Sequence, residues 1–203
     1  MARAASTLAA GVAQRARGVT TYAGRLESLY QANLLSRQDL QRSYGGAYLS
    51  FFTFFERSIE DLFLGLVMGR LTCSTATRSL VEIRSEVVAR RLVAGGRNYA
   101  DWLPFEQHTM KRAPAFLSGG RPFTDVPAND RHALQRAHYI RNALAHESNH
   151  SLKQFQRHVI GQQFVPPHER RPAPYLRGAH AAGQSRMEFL LAELVFVFDR
   201  MCA

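Results

Sequence analysis

The sequence predicts an all-α protein, an antiparallel helical bundle, on three observations. Apolar residues recur at three- and four-residue spacing over most of the chain, which is the period of one face of a helix. No segment alternates apolar and polar residues at period two, the mark of a half-buried strand. The breaks between periodic segments are glycine pairs or proline-rich runs, which end helices. With 203 residues, 46% of them hydrophobic, the chain can bury a sizeable core as one domain. Residues 21–203 are assigned to that domain and residues 1–20, rich in Ala, Arg, Ser and Thr, to an N-terminal tail.

In chain order, Leu26, Leu29, Tyr30, Leu34 and Leu35 suggest a first helix that Gly45-Gly46 breaks. Residues 47–69 carry the strongest signal: Tyr48, Phe51, Phe52, Phe55, Ile59, Leu62, Phe63 and Leu66 form a core-facing stripe, and Thr53, Glu56 and Glu60 line its flank. Ser79 to Glu82 has capping-box spacing and predicts a helix running to Gly95-Gly96, and a further helix follows Asp101. Asn129 or Asp130 is expected to cap a helix over about 129–146, in which Leu134, Ala137, Ile140, Ala143 and Leu144 make the packed face. Leu152, Phe155, Val159 and Ile160 suggest a short helix after it. Residues 161–184, with four prolines and three glycines, read as an exposed loop, and Ser185 to Glu188 opens a closing helix with a second capping-box spacing.

The formal net charge is +10, and 24 of the 26 basic residues are arginine, Lys111 and Lys153 being the exceptions. This balance favours a polyanionic partner, nucleic acid first and an acidic membrane surface second. No apolar run approaches the roughly 20 residues of a membrane span, so no membrane association is expected. Cys73 and Cys202 form neither a metal-ligand spacing nor a redox motif, which fits a reducing cytoplasm. Glycine-rich phosphate loops, metal-ligand clusters and the Gly-x-Ser-x-Gly elbow do not occur, which removes the commonest ATPase, metalloenzyme and hydrolase readings. No metal and no cofactor is expected.

What remains is Tyr139-Ile140-Arg141-Asn142-Ala143-Leu144-Ala145-His146 at the end of an amphipathic helix. On an ideal wheel Arg141, Ala145, His138, Asn142 and His146 follow one another around an arc beside the apolar stripe. Histidine titrates near about 6.5 and can move a proton at neutral pH, while a guanidinium can stabilise charge developing on a phosphoryl oxygen. Together they suit cleavage of RNA by its own 2′-hydroxyl, without a metal. A partly buried Arg141 asks for a carboxylate, and Glu56 is the flank candidate, with a solvated face shared with Arg57 as the alternative. Arg141 and His146 diverge by about 140° on the wheel, so a second copy or a distorted helix end at Ala145 is expected to bring them onto one phosphate. Arg170, Arg171, Tyr175 and Arg177 in the Pro-rich segment, with His138, are candidate RNA contacts, since interleaved arginine and aromatic side chains hold single strands.

The run Arg141 to His146, with a polar Asn142 after the arginine, resembles the Arg-x4-6-His signature of the HEPN superfamily. The aromatic, acid-bearing helix from Tyr48 to Leu66 is similar to that fold's first core helix, and the layout is similar to stand-alone bacterial HEPN proteins related to the RiboL-PSP type. The resemblance implies a bundle of HEPN type, with inserted helices between residues 70 and 125 beyond the minimal core, that forms a homodimer with two motifs in one cleft. It also implies metal-independent endoribonuclease activity in toxin, abortive-infection or phage-defence settings, with RNA as substrate and an antitoxin or sensor protein as partner. By position, Arg141 would stabilise the scissile phosphate, His146 would act as acid or base, and Asn142 would position one of them. Glu147-Ser148 follows the histidine, so the tyrosine that some family toxins carry two positions later, and its modification, are not expected. The alternatives are a non-catalytic HEPN interaction or sensor subunit and a basic helical nucleic-acid-binding protein.

Overall fold

The computed structural model describes residues 2–74, 77–146, 148–181 and 183–203. It is mostly helical, as expected: α1 (Ser6–Gln31), α2 (Arg37–Val67), α3 (Glu86–Val93), α4 (Ala128–His146), α5 (Asn149–Phe155), α6 (Pro172–Arg177) and α7 (Arg186–Cys202). The strands among the described residues are two or three residues long, β1 (Arg3–Ala4) beside β2 (Leu71–Thr72) and β3 (Ala179–Ala181) beside β4 (Gln184–Ser185). Where one domain is expected, the chain groups into two compact units, Met1–Ala13, Phe54–Gln135 and Val195–Ala203 in the first, Gln14–Thr53 and Arg136–Leu194 in the second. Helices α1, α2, α4 and α7 each contribute residues to both.

The aromatic stripe of α2 is the core that the spacing predicts. Tyr48, Phe51, Phe52, Phe55, Ile59, Leu62, Phe63 and Leu66 are all at most 4% exposed. In the first unit Phe63 meets Trp102 and Phe123 at 5.1 Å and Phe116 at 6.0 Å, and Phe55 meets Phe198 edge-on at 5.8 Å. Between α2 and α4 the chain is less regular than expected. The Ser79 hydroxyl bonds the carbonyls of Val67 and Val81 instead of capping a helix, and α3 begins only at Glu86. After Asp101, short π and 3-10 turns replace the expected helix, with the Thr109 hydroxyl donating to the Trp102 carbonyl at 2.5 Å.

One expectation in the second unit is corrected by packing. Gly45-Gly46 does not break a helix, because α2 runs through it. Each glycine in a helix costs roughly 1 kcal/mol against alanine, whereas burying each of Tyr48, Phe51 and Phe52 contributes about 1.5–3 kcal/mol. Burial wins. Gly45 also has a reason to lack a side chain, since a Cβ there would stand 3.1 Å from Leu144 Cδ2. Within residues 2–20, Ala5, Ala9, Val12, Ala16 and Val19 are buried, all but Ala5 within α1.

The segment 161–184 is not a plain exposed loop. Pro172 opens α6, where its fixed φ suits the first turn, and Val165, Tyr175 and Leu176 are buried. Arg186 ties the segment down: its Nη1 donates to Glu169 Oε2 at 2.6 Å and to the Tyr175 carbonyl at 3.2 Å. Gly178 makes room for this pair. Arg177 donates to both oxygens of Glu27, at 2.8 and 3.0 Å, and Tyr44 donates to Glu27 Oε1 at 2.9 Å. The closing capping box forms as predicted, with Ser185 N–H donating to Glu188 Oε2 and Glu188 N–H to Ser185 Oγ.

A Cβ at Gly178 would overlap Arg186 Nη1 and Glu169 Oε2. Gly178→Ala is therefore expected to destabilise the protein by about 1–3 kcal/mol, measured by chemical denaturation. The hydrogen bonds from Arg177, chiefly, hold the Glu27 carboxyl below its ordinary range. A depressed carboxyl stabilises the fold above its unfolded value and ceases to do so as pH falls through the folded one. The stability difference between the native chain and Glu27→Gln should therefore be present at neutral pH and vanish in acid.

Candidate active site

Helix α4 presents its apolar side inward, with Leu134, Ala137, Ile140 and Ala143 at most 6% exposed. In the second unit the Tyr48 hydroxyl donates to the Ala137 carbonyl at 3.0 Å, from a fully buried ring. This bond and the close approach at Gly45 set the rotation of α4. The expected arc faces away from the packed stripe: His138, Arg141 and Asn142 are half-buried, while Ala145 and His146 are exposed.

The four polar side chains of the arc form one network. Arg141 Nη1 donates to Asn142 Oδ1 at 3.0 Å and lies 3.5 Å from His146 Nε2. Asn142 Nδ2 lies 2.9 Å from His138 Nε2. Guanidinium and amide nitrogens can only donate, so a hydrogen bond at either contact uses the histidine Nε2 as its acceptor, in the tautomer that carries the proton on Nδ1. The lone pair of His146 is then aimed at the guanidinium, where a phosphate bound to Arg141 would sit.

This corrects the expectation drawn from the wheel. One helix brings Arg141 and His146 together, and α4 remains helical through Ala145. The 140° divergence describes Cα positions, and the long arginine side chain crosses it. A second copy is not needed for the two groups to meet.

The remaining candidates are placed as follows. Glu56 is half-buried on α2 and belongs to the first unit, while Arg141 belongs to the second; Glu60, on the same flank, is engaged by Arg90. Arg170 and Arg171 are exposed, with Arg170 Nε donating to the Val165 carbonyl at 3.0 Å. Tyr175 is 4% exposed, under the Arg186 guanidinium and against Phe155. Arg177 is bound to Glu27 and lies over the Tyr30 ring. Tyr175 and Arg177 hold the fold and offer no stacking face or bare charge to RNA. Glu147 lies outside the described residues.

Two features go unread in the sequence. The His138–Asn142 bond was legible in principle, since i, i+4 partners meet on a helix. The stack of Tyr139 on His158, at 4.6 Å and 12° between planes, joins α4 to the turn after α5 and has no local signal. No group of three or more His, Cys, Asp or Glu side chains among the described residues is placed to hold a metal, and no described helix is long and apolar enough to cross a membrane. A polar cavity of about 420 Å³ in the second unit is lined by Glu27, Arg177, Glu169 and Glu188 among others, but Glu27 and Glu169 are already bonded to arginines, and Glu188 is held by the Ser185 cap. The chain matches no protein-family model, no curated protein and no solved structure.

If Asn142 orients Arg141, Asn142→Ala should leave the fold intact at a cost of about 1 kcal/mol. The Arg141 side-chain N–H signals in an NMR spectrum should lose their protection from exchange in the same variant.

Proposed function

We propose that this protein is a metal-independent endoribonuclease of the HEPN type. The observation that carries the reading is the 3.5 Å approach of Arg141 Nη1 to His146 Nε2 at the exposed end of α4. A half-buried guanidinium and an exposed imidazole in that relation have the parts that transesterification of RNA needs. The 2′-hydroxyl attacks the adjacent phosphorus, His146 Nε2 takes its proton, and Arg141 donates to the non-bridging oxygens as negative charge builds on them. Asn142 keeps the guanidinium in place through Oδ1. The 5′-oxygen leaves, and the products are a 2′,3′-cyclic phosphate and a 5′-hydroxyl.

A single imidazole cannot take the 2′-hydroxyl proton and protonate the 5′-oxygen in the same instant. This is the physical reason for a homodimer in the proposal: a second copy of the motif supplies the second proton carrier to one cleft. RNA is the partner, the role is that of a toxin or phage-defence nuclease, and an antitoxin or sensor protein controls it.

Purified protein incubated with structured RNA in EDTA is expected to produce 2′,3′-cyclic phosphate ends. His146→Ala and Arg141→Ala should each lower the rate by about 100-fold or more, with melting temperatures close to that of the native chain. Equal cleavage by His146→Ala would remove the catalytic assignment.

A further inference from the structure

The Tyr139–His158 stack has no part in the chemistry just described, and its surroundings point to a use. Tyr139 and His146 are seven residues apart on α4, so they lie within about 20° of each other and about 10 Å apart along the axis. The Tyr139 ring is half-buried and its centroid lies 6.4 Å from that of His138, which is bonded to Asn142. His158 covers Tyr139 from outside and is itself exposed. One face of the imidazole is thus taken by Tyr139, and the ring presents its other side outward.

The segment that carries His158 is unusual in charge. From Ser148 to His168 there is no acidic residue. Lys153 and Arg157 are four residues apart on α5 and the turn that continues it, and both are exposed, as are His150 and His158. No ion pair among the described residues engages any of these four. Elsewhere in the same unit the arginines 136, 177 and 186 are matched by Glu193, Glu27 and Glu169.

We propose that the outer face of His158, backed by Tyr139, is a base-stacking subsite for single-stranded RNA, and that Lys153 and Arg157 hold the flanking phosphates. It rests on the reading of the Arg141–His146 site as an RNA-cleaving centre, and it places the strand along α5 as it leaves that site. Stacking suits a platform that must accept any base, because every base has a π face. The adjoining bare cations supply the sequence-independent attraction of the backbone.

The test uses a fluorescein-labelled single-stranded oligoribonucleotide with 2′-O-methyl groups throughout, which cannot be cleaved by 2′-hydroxyl attack, and reads binding by fluorescence anisotropy. His158→Ala is expected to weaken binding about tenfold or more, and His158→Phe, which keeps a stacking ring, to stay within about twofold of the native chain. Lys153→Ala with Arg157→Ala should reduce the slope of log affinity against log salt by about 1.4. His158→Ala binding as tightly as the native chain overturns the subsite, and leaves the proposed function standing if the native protein cleaves RNA. Loss of binding in His158→Ala together with undiminished cleavage by His146→Ala supports the subsite and removes the catalytic reading. A native chain that neither binds the oligoribonucleotide at low salt nor cleaves RNA overturns both.

Discussion

The position of α4 against the first half of α2 is the constraint on which the site depends. Two contacts fix it: the buried Tyr48 hydroxyl on the Ala137 carbonyl, and the approach of Leu144 to a glycine at position 45. The first takes a carbonyl already used within the helix and gives it a second, fully buried donor, so it locates the helix along its axis. The second sets how closely the two helices meet. Because Ala137 lies one residue before His138 and Leu144 two before His146, both contacts sit beside the residues they place. A turn of α4 by one residue would bury Arg141 or His146 and expose Ile140, losing apolar burial and stranding a charge.

The outward arc then organises itself. Asn142 has one acceptor and two donors on its carboxamide, and it uses them in opposite directions, Oδ1 toward Arg141 and Nδ2 toward His138. The amide therefore has one orientation consistent with both neighbours. An aspartate would bind the guanidinium more strongly but could not donate to His138, and an alanine would hold neither. This is a physical reason for a polar amide after the arginine that spacing alone does not supply.

How much of this was legible follows from where each signal lies. The α2 stripe, the α4 stripe and the arc were legible because they are periodic within one helix. The capping box at Ser185 was legible because its two bonds are three residues apart. Gly45-Gly46 misled because local propensity points to a break, while the reason for glycine lies about a hundred residues on, at Leu144. Tyr175 and Arg177 misled in the opposite way: prolines signalled a loop, but Pro172 begins a helix turn, and Arg186 and Glu27 are the partners that draw these side chains in. The wheel misplaced Arg141 and His146 because it follows Cα directions and takes no account of side-chain length.

Charge shows the same limit. A net charge of +10 over 203 residues suggests a polyanion partner without saying where it binds. Folding sorts the arginines: those at 90, 131, 136, 177, 186 and 200 are matched to carboxylates of the same chain. Arg141 instead donates to the neutral amide of Asn142 and lies 3.5 Å from His146 Nε2. Its guanidinium is held by that amide at the end of α4. For the proposed chemistry that combination matters more than the number of basic residues, since a preset donor stabilises developing charge without the cost of reorganising, and a carboxylate partner in Asn142's place would have cancelled the field it offers to a phosphate.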